Sequence, residues 1–244
     1  MITLTCFGKY GPYPKANCAC SSYMLTYRGR RVIIDLGCGS LTRVFSVLNA
    51  HEIDAVVLSH LHADHMGDML TLRYALDAAK KMGRLENPVP VYMPAEPETE
   101  AKLIASNKNI EAHYIDGGGT AGICGMDVSF ALMPHAVKSY AMSFCAEGRK
   151  FVYSGDTSYN ERLAGFAEGA DLFLIEAGFL SADKPENAAH VTAAEAAKIG
   201  KEAGAKKLLL THVFPEYDEN ELVKEAIEYY PGASIIEELV SYEV

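Results

Sequence analysis

The segment SHLHADHMGD, residues 59–68, places three histidines and an aspartate within six positions. On extended backbone, residues two apart point to the same side, so His60 and His62 could hold one metal ion. Asp64 and His65 follow where the chain is expected to turn into a helix, and they could face a neighbouring ion. Imidazole nitrogens and carboxylate oxygens are ligands of divalent metals, so this spacing predicts a metal site rather than a chance surface cluster.

Three further residues of ligand type each follow an apolar run that has the composition of a strand. His135 follows VSFALMP, Asp156 follows FVYSG, and His212 follows KLLLT. Any one of them alone is better read as an ordinary polar residue at a strand end. Together with the four residues of the cluster they give seven nitrogen and oxygen ligands, which matches two divalent ions that share one carboxylate. Zn is the expected metal, with Mn or Fe as alternatives, because such ligands suit all three.

Apolar runs bounded by turn residues predict the strands that must position these ligands. They are ITLTCF, SSYMLTY, VIID, AVVLS, PVYMP, MDVSFALM, YAMSFCA, KFVYSGD, LFLIEA and LLLTH. Helical spacing predicts helices over residues 41–48, 66–81 and 96–106, from 192 through 203, and after 218. Thr192 and Glu195 have capping-box spacing for the fourth helix, and residues 218 and 221 repeat it for the fifth. The glycines of GGGTAG predict a loop.

Each half of the chain contains several strands followed by helices. This order predicts two sheets packed face to face with helices outside, a four-layer αββα sandwich of the α/β class. A length of 244 residues fits one such unit, so a single domain over residues 1–244 is expected. The ligand-type residues lie just beyond strand ends, where a sandwich gathers its loops along one edge.

The composition of the chain disfavours two classes of protein, those that bind nucleic acids and those that span a membrane. The formal net charge is -10, from 32 acidic and 22 basic residues, whereas polyanions are normally bound through clusters of Lys and Arg, so nucleic-acid binding is disfavoured. The N-terminus enters a strand pattern without a signal segment, and no apolar run of about 18 residues follows, which predicts a cytoplasmic protein without a membrane span. The six cysteines are expected to be reduced thiols, and Cys18 with Cys20 gives only a weak zinc signal.

With these residues identified, the sequence resembles the metallo-β-lactamase superfamily across essentially its whole length, and HLHADH is a motif specific to that superfamily. The resemblance implies the αββα fold and hydrolysis at a two-metal site. It assigns three groups of ligands: His60, His62 and His135 to one ion; Asp64, His65 and His212 to the other; and Asp156 to both. It also makes Asp35, at the end of VIID, a supporting residue that is not itself a ligand.

Within the superfamily, the sequence most resembles the ribonuclease Z branch of phosphodiesterases. The stretch AHVTAAEAAKIGKEAGAKKLLLTHVFPEY is similar to that branch's histidine-plus-threonine segment, helix and final ligand strand, and SGDTSY is similar to its bridging-aspartate motif. The resemblance makes His190 the catalytic histidine near the scissile phosphate, and Glu176 the residue that orients it. Ile175 and Gly178 depart from the branch, which usually has a histidine and a threonine there.

The resemblance implies hydrolysis of phosphodiesters by water. Two ions that share a carboxylate can also share a water and lower its pKa from about 15.7 towards about 7, which gives a bridging hydroxide as the nucleophile. Asp64 would hold this hydroxide in line, and His190 would protonate or stabilise the departing alkoxide. No covalent intermediate with the protein is needed.

The number of residues between His135 and Asp156 distinguishes transfer RNA from small phosphodiesters as the expected substrate. Only 20 residues lie between them, enough for the two predicted strands, whereas members of the branch that process transfer RNA usually insert a basic arm there. The expected substrates are therefore small phosphodiesters or nucleotides, and structured RNA is not an expected partner.

Several alternatives remain open from the sequence. They are ribonuclease Z-type cleavage of transfer-RNA 3′ ends, hydrolysis of lactones, thioesters or β-lactams, redox or sulfur chemistry at a non-haem iron centre, and metal binding without turnover. A homodimer is a further expectation, since dimers are common among the relatives that the sequence resembles.

Overall fold

The computed structural model describes residues 1–244 as two seven-stranded sheets with helices outside. The first sheet consists of β1 (Ile2–Gly8), β2 (Ser22–Tyr27), β3 (Arg30–Leu36), β4 (Ala55–Val57), β5 (Val89–Pro94), β6 (Ile110–Ile115) and β14 (Ser241–Glu243). Its strand order is β14-β1-β2-β3-β4-β5-β6. The strands from β14 to β3 pair antiparallel, and those from β3 to β6 pair parallel.

The second sheet repeats this plan with the second half of the chain. It consists of β7 (Gly119–Ile123), β8 (Met126–Met133), β9 (Ser139–Ala146), β10 (Arg149–Tyr153), β11 (Leu172–Glu176), β12 (Leu208–Thr211) and β13 (Ser234–Ile235). Its strand order is β13-β12-β11-β10-β9-β8-β7. The strands from β7 to β10 pair antiparallel, and those from β10 to β13 pair parallel.

Helices cover the outer face of each sheet. The first sheet carries α1 (Ser40–Val44), α2 (Ala63–Met66), α3 (Met69–Lys81) and α4 (Glu98–Ala105), and the second carries α5 (Arg162–Phe166), α6 (Ala193–Glu202) and α7 (Glu219–Ile227). One apolar core lies between the sheets, and two more lie between each sheet and its helices. These four layers confirm the predicted αββα sandwich.

The central strands contain continuous apolar runs, and both faces of these runs are buried. Val32 and Ile34 of β3 face the core between the sheets, while Ile33 faces the helices. Leu174 of β11 likewise points into the central core, and Ile175 points towards the outer helices. Side chains alternate across a strand, so a strand between two apolar layers reads as a continuous apolar run.

Several predicted boundaries are wrong. The helix expected over residues 41–48 ends at Val44, and the helix expected over residues 66–81 begins only at Met69, because residue 66 ends the separate short helix α2. The first residues of GGGTAG form a loop, but the segment from Gly119 belongs to β7. This strand lies at the edge of its sheet, where pairing with β8 outweighs the weak strand propensity of glycine.

One of the two expected capping boxes is present. Thr192 Oγ1 accepts a hydrogen bond from Glu195 N at 3.1 Å, and Glu195 Oε2 accepts one from Thr192 N at 2.9 Å. At the start of α7, Asp218 caps the helix by accepting from Asn220 N at 2.9 Å, so the expected pairing with Glu221 is wrong. No helix of the protein has both the length and the apolar character that a bilayer crossing requires.

Candidate metal centre

The structure brings the seven predicted ligands together at one edge of the sandwich. Each lies just after the carboxyl end of a strand or in the short helix that follows one. His60, His62, Asp64 and His65 follow β4, His135 follows β8, Asp156 follows β10, and His212 follows β12. The strands β4, β8, β10 and β12 all end at this edge of the sandwich, so these distant parts of the chain converge.

The first group of ligand atoms comes from His60, His62, His135 and Asp156, and all of them lie within 4.8 Å of one another. His62 Nδ1 is 3.0 Å from His60 Nε2 and 3.3 Å from His135 Nε2. Asp156 Oδ2 is 3.6 Å from His60 Nε2. Three nitrogens and one carboxylate oxygen in this arrangement could hold a single divalent ion.

The second group comes from Asp64, His65, Asp156 and His212 and has the same compactness. Asp64 Oδ2 lies 3.1 Å from His212 Nε2 and 3.6 Å from His65 Nε2. Asp156 Oδ1 is 3.3 Å from His65 Nε2, and Asp156 Oδ2 is 3.2 Å from His212 Nε2. Asp156 therefore belongs to both groups, which is the position that a shared carboxylate must occupy.

Two atoms of this centre lack the partners that buried polar atoms normally have. His65 Nε2 and Asp156 Oδ1 are buried and lie 3.3 Å apart, yet neither makes a hydrogen bond. Nearly all buried polar groups in native proteins are paired, and a cation held between these two atoms would satisfy both. The donor set of imidazoles and carboxylates suits a divalent metal, so the residues fit the metal site that the sequence predicts.

The pKa shifts of the histidines also fit a metal site. Burial lowers the pKa of His60, His62 and His135, which keeps these imidazoles neutral, as metal ligands must be. For His65, burial alone would also lower the pKa, but the carboxylates of Asp156, Asp64 and Asp35 outweigh it and raise the pKa well above its usual value. The second group thus contains negative charge that a proton or a metal cation must balance.

Hydrogen bonds behind the ligands fix which ring nitrogens face the centre. His65 Nδ1 donates to Asp35 Oδ2 at 2.7 Å, and His135 Nδ1 donates to the Ala189 carbonyl at 3.0 Å. His60 Nδ1 lies 3.1 Å from Ser59 Oγ. With the Nδ1 protons engaged, these three rings direct the lone pairs of Nε2 towards the metal groups.

Asp35 organises much of this support from a fully buried position. Its Oδ1 accepts from Ser59 N at 2.7 Å, while its Oδ2 accepts from Ser59 Oγ at 2.8 Å and from Tyr153 OH at 2.9 Å. It adopts a left-handed backbone conformation, with φ of 53°, directly before β3 ends. Asp35 contacts His65 rather than the centre itself, in agreement with its expected supporting role.

His212 is held differently from the other histidines. Its Nδ1 is buried and has no hydrogen-bond partner. Gly11 lies against the ring so closely that a Cβ at Gly11 would overlap it, and the ring of His190 stacks on it with centroids 5.0 Å apart. Packing therefore sets the orientation of this ligand. Nothing local in the sequence marks Gly11, because its contact with His212 spans 201 positions of the chain.

His190 and Glu176 lie beside the metal groups. His190 Nδ1 is 3.1 Å from Glu176 Oε1 and 3.8 Å from Asp156 Oδ2. Glu176 is fully buried and also accepts hydrogen bonds from Thr157 N at 2.7 Å and Val191 N at 3.2 Å. Burial alone would lower the pKa of His190, but Glu176 outweighs it and raises the pKa to about 9. The Glu176 carboxylate therefore favours the positively charged form of His190.

Other ligand-type residues stay outside the centre. All six cysteines are free thiols, and neither Cys18 nor Cys20 belongs to a group of ligand-type atoms.

Gly178, where the ribonuclease Z branch usually has a threonine, lies close to His190. A Cβ at this position would be 3.2 Å from the His190 Cβ. The absence of a side chain at Gly178 therefore allows the segment that follows β11 to approach His190 closely.

The chain belongs to the beta-lactamase superfamily, because the sequence model of the beta-lactamase superfamily domain matches residues 30–213. It is 35% identical over 215 residues to a protein of Bacillus subtilis named probable metallo-hydrolase YhfI, a match that covers 87% of each chain. The crystal structure of YhfI, a metallo-beta-lactamase fold protein, superposes with a TM-score of 0.95 and 29% identity, covering 100% of this chain and 99% of that one.

Two more distant structures share the fold. The short form of human tRNase Z superposes with a TM-score of 0.79 and 20% identity, covering 99% of this chain and 98% of its own. A diphosphatase from the PhnP family superposes with a TM-score of 0.79 and 19% identity, covering 100% and 98%. The matches together confirm the resemblance to the ribonuclease Z-like branch and identify the chain as a metallo-hydrolase of the metallo-β-lactamase fold.

Proposed function

We propose that this protein is a binuclear metal-dependent phosphodiesterase that acts on small phosphodiesters. The observation that carries the proposal is the position of His190. A buried glutamate holds this histidine beside Asp156, the carboxylate that both ligand groups share. Glu176 holds His190, and His190 Nδ1 lies 3.8 Å from Asp156 Oδ2. A charged imidazole at this place suits a leaving alkoxide, which needs a proton.

Each residue has a role in this proposal. His60, His62 and His135 would hold one ion, and Asp64, His65 and His212 the other, with Asp156 shared by both. When bound, the divalent ions would supply hydroxide at neutral pH and stabilise the charge that develops on the phosphoryl oxygens.

The protein's own acid–base group would be His190. Its Nδ1 is engaged by Glu176, which leaves Nε2 as the nitrogen that can give its proton to the leaving oxygen. Glu176 raises the pKa of His190 and so favours the form that carries this proton. Asp64, whose carboxylate lies 3.1 Å from His212 Nε2, would orient the attacking water. Glu176 acts through His190 and is a positioning residue.

The shape of the chain around His135 supports small substrates over transfer RNA. The 20 residues between His135 and Asp156 are taken up by β9, β10 and their short connections, so no arm projects from this part of the molecule. Lys138, the basic residue of this segment nearest to His135 in the chain, pairs with Glu96 at 3.1 Å and lies 3.8 Å from Asp116. Structured RNA is held by many cationic contacts with phosphates, and this segment contains only three basic residues, Lys138, Arg149 and Lys150.

Ribonuclease Z-type cleavage is the second candidate, because the Glu176–His190 pair and the fold shared with human tRNase Z favour it as well. A substrate panel on Zn- and Mn-loaded protein at physiological salt separates the two. The panel contains bis-nitrophenyl phosphate, cyclic nucleotides and a 3′-extended precursor transfer RNA, together with a lactone, a thioester and a β-lactam. We expect turnover of the small phosphodiesters only. Accurate 3′ trimming of the precursor at enzyme-like rates would establish the second candidate instead.

The role of His190 can be tested through the leaving group. His190→Ala should retain its metals but lose about 10²- to 10⁴-fold in turnover of a poorly activated diester, and much less with a nitrophenyl ester, whose leaving group hardly needs a proton. His113→Ala, at a histidine of β6 outside the metal groups, is the matched control. Equal losses on both esters would remove the acid role and leave His190 with a positioning role.

A further inference from the structure

Two loops bring aromatic side chains next to the metal centre. The N-terminal loop contacts His212 through Gly11, and Tyr13 follows two residues later. Phe214 comes two residues after His212. The rings of Tyr13 and Phe214 meet edge to face with centroids 6.0 Å apart. Because consecutive Cα atoms are about 3.8 Å apart, each aromatic residue lies within about 8 Å of Gly11 or His212, measured between Cα atoms.

These two rings are not explained by packing of the fold. Tyr13 and Phe214 lie outside the three apolar cores, whereas Tyr217, which contacts Phe214 at 5.2 Å, packs against the core beneath α6 and α7. The Tyr13 side chain is 44% exposed, and Phe214 is half-buried. An aromatic pair that is open to solvent at the rim of a reactive centre is available to a ligand.

The pair is also held in place before any ligand binds. Tyr13 precedes Pro14 and Phe214 precedes Pro215, and a residue before proline is restricted to extended backbone. The Tyr13 hydroxyl donates to Glu216 Oε1 at 3.2 Å, which ties the two loops together. Groups fixed in this way lose little conformational entropy when they bind a ligand.

We propose that Tyr13 and Phe214 form a platform, in which one ring offers its face to the base of a nucleotide and the other supports that ring edge-on, while the phosphate of the nucleotide occupies the metal centre. This inference rests on the proposed phosphodiesterase function and narrows its substrate class to phosphodiesters that carry a nucleoside. Stacking on aromatic side chains suits every base, since each has a π-face, and it contributes about 5- to 150-fold in affinity per base. A single platform and a net charge of -10 favour a small nucleotide over a polynucleotide.

The test compares two phosphate monoesters that differ only by the base. Adenosine 5′-monophosphate and ribose 5-phosphate are titrated by calorimetry into the Zn-loaded protein, and into the Mn-loaded protein. We expect the nucleotide to bind at least about fivefold more tightly. Tyr13→Leu and Phe214→Leu should each reduce this ratio, whereas Tyr13→Phe, which keeps the ring and removes only the hydroxyl, should retain most of it. Tyr74→Leu, at an exposed tyrosine of α3, is the matched control.

Metal content and melting temperature are measured for each variant, so that a loss of fold or metal is recognised. Equal affinities for the two monoesters in the unchanged protein, or a ratio that survives both leucine variants, would overturn the platform. The outcome is independent of turnover. A protein that prefers the nucleotide but hydrolyses no diester would retain the platform and lose the proposed function. A protein that hydrolyses methyl nitrophenyl phosphate but binds the two monoesters equally well would retain the proposed function and lose the platform.

Discussion

Replacing the buried Asp35 by asparagine tests how the fold sets the ligand state of His65. The two Asp35 oxygens accept four hydrogen bonds, from Ser59 N, Ser59 Oγ, Tyr153 OH and His65 Nδ1. The backbone N–H of Ser59 can only donate, so the amide oxygen of the variant must take the Oδ1 position. The amide N–H₂ then faces His65 Nδ1, which must become an acceptor. Its proton moves to Nε2, the nitrogen that faces the centre.

The size of the effect follows from this change of tautomer. Replacing a residue that supports a metal ligand usually costs 10- to 100-fold in metal affinity, or about 1.4 to 2.8 kcal/mol. The amide N–H₂ also places a donor where the buried hydrogen-bond network has the acceptor Oδ2, and this mismatch costs a further ~1 to 3 kcal/mol of folding stability. For a chain of this length, we therefore expect the melting temperature to fall by about 2 to 12 °C.

The measurement is a competitive titration with a chelating indicator, for Zn and for Mn, with a melting curve of each metal-free protein. Asp171→Asn is the matched control, because Asp171 is buried and accepts from Lys150 N at 2.9 Å and Arg149 at 3.0 Å at the opposite end of β11 from Glu176. It should lower stability without weakening metal binding. If Asp35→Asn binds both ions as tightly as the unchanged protein, the argument from the tautomer is wrong.

Three further predictions concern the centre and its supports. Metal analysis after saturation with Zn or Mn should find two divalent ions per chain, and Asp156→Ala should disturb both sites; at most one tightly bound ion in the unchanged protein would refute the binuclear arrangement. Gly11→Ala should displace His212 and weaken metal binding, whereas Gly165→Ala, with open space around its Cβ position, should not; equal metal affinities would show that packing does not hold this ligand. For Glu219, burial alone would raise the pKa, but hydrogen bonds from Lys9 at 2.8 Å and Tyr10 at 2.6 Å lower it. At pH values above the usual carboxylate pKa, these hydrogen bonds should contribute on the order of 1 kcal/mol to the free energy of unfolding. This contribution should disappear as the pH falls through the lowered pKa of Glu219, so the free energy of unfolding of Glu219→Gln, measured in urea, should not show this acid dependence.

The ligands could be recognised from the sequence because of where they stand relative to strands. The cluster in SHLHADHMGD is local, His135 follows β8, and Asp156 and His212 each follow an apolar run that is buried on both faces of its strand. Strands of this kind leave a strong one-dimensional pattern, since their side chains are apolar on both sides. The fold class and the seven residues that gather at one edge follow from that pattern, and the resemblance to a known superfamily assigned the residues to two ions.

The weakly patterned elements could not be found in this way. The edge strands β6, β7, β13 and β14 are short, partly exposed or rich in glycine, and pairing with a neighbouring strand stabilises them more than their own composition does. The division between α2 and α3 was missed as well. There Gly67 packs against Cys38 and Ala63, and the contact with Cys38 comes from a distant part of the chain.

The residues that support and extend the centre were decided by tertiary structure alone. Tyr153 reaches Asp35 across 118 positions of the chain, Gly11 packs on His212 across 201 positions, and Tyr13 meets Phe214 only because two loops cross at the same edge. Residue type and spacing carry no record of such contacts, because an isolated glycine, tyrosine or phenylalanine has the same local appearance wherever it packs. The sequence therefore determined which atoms could bind metal, and the packing of the two sheets decided their orientation, their protonation and what stands beside them.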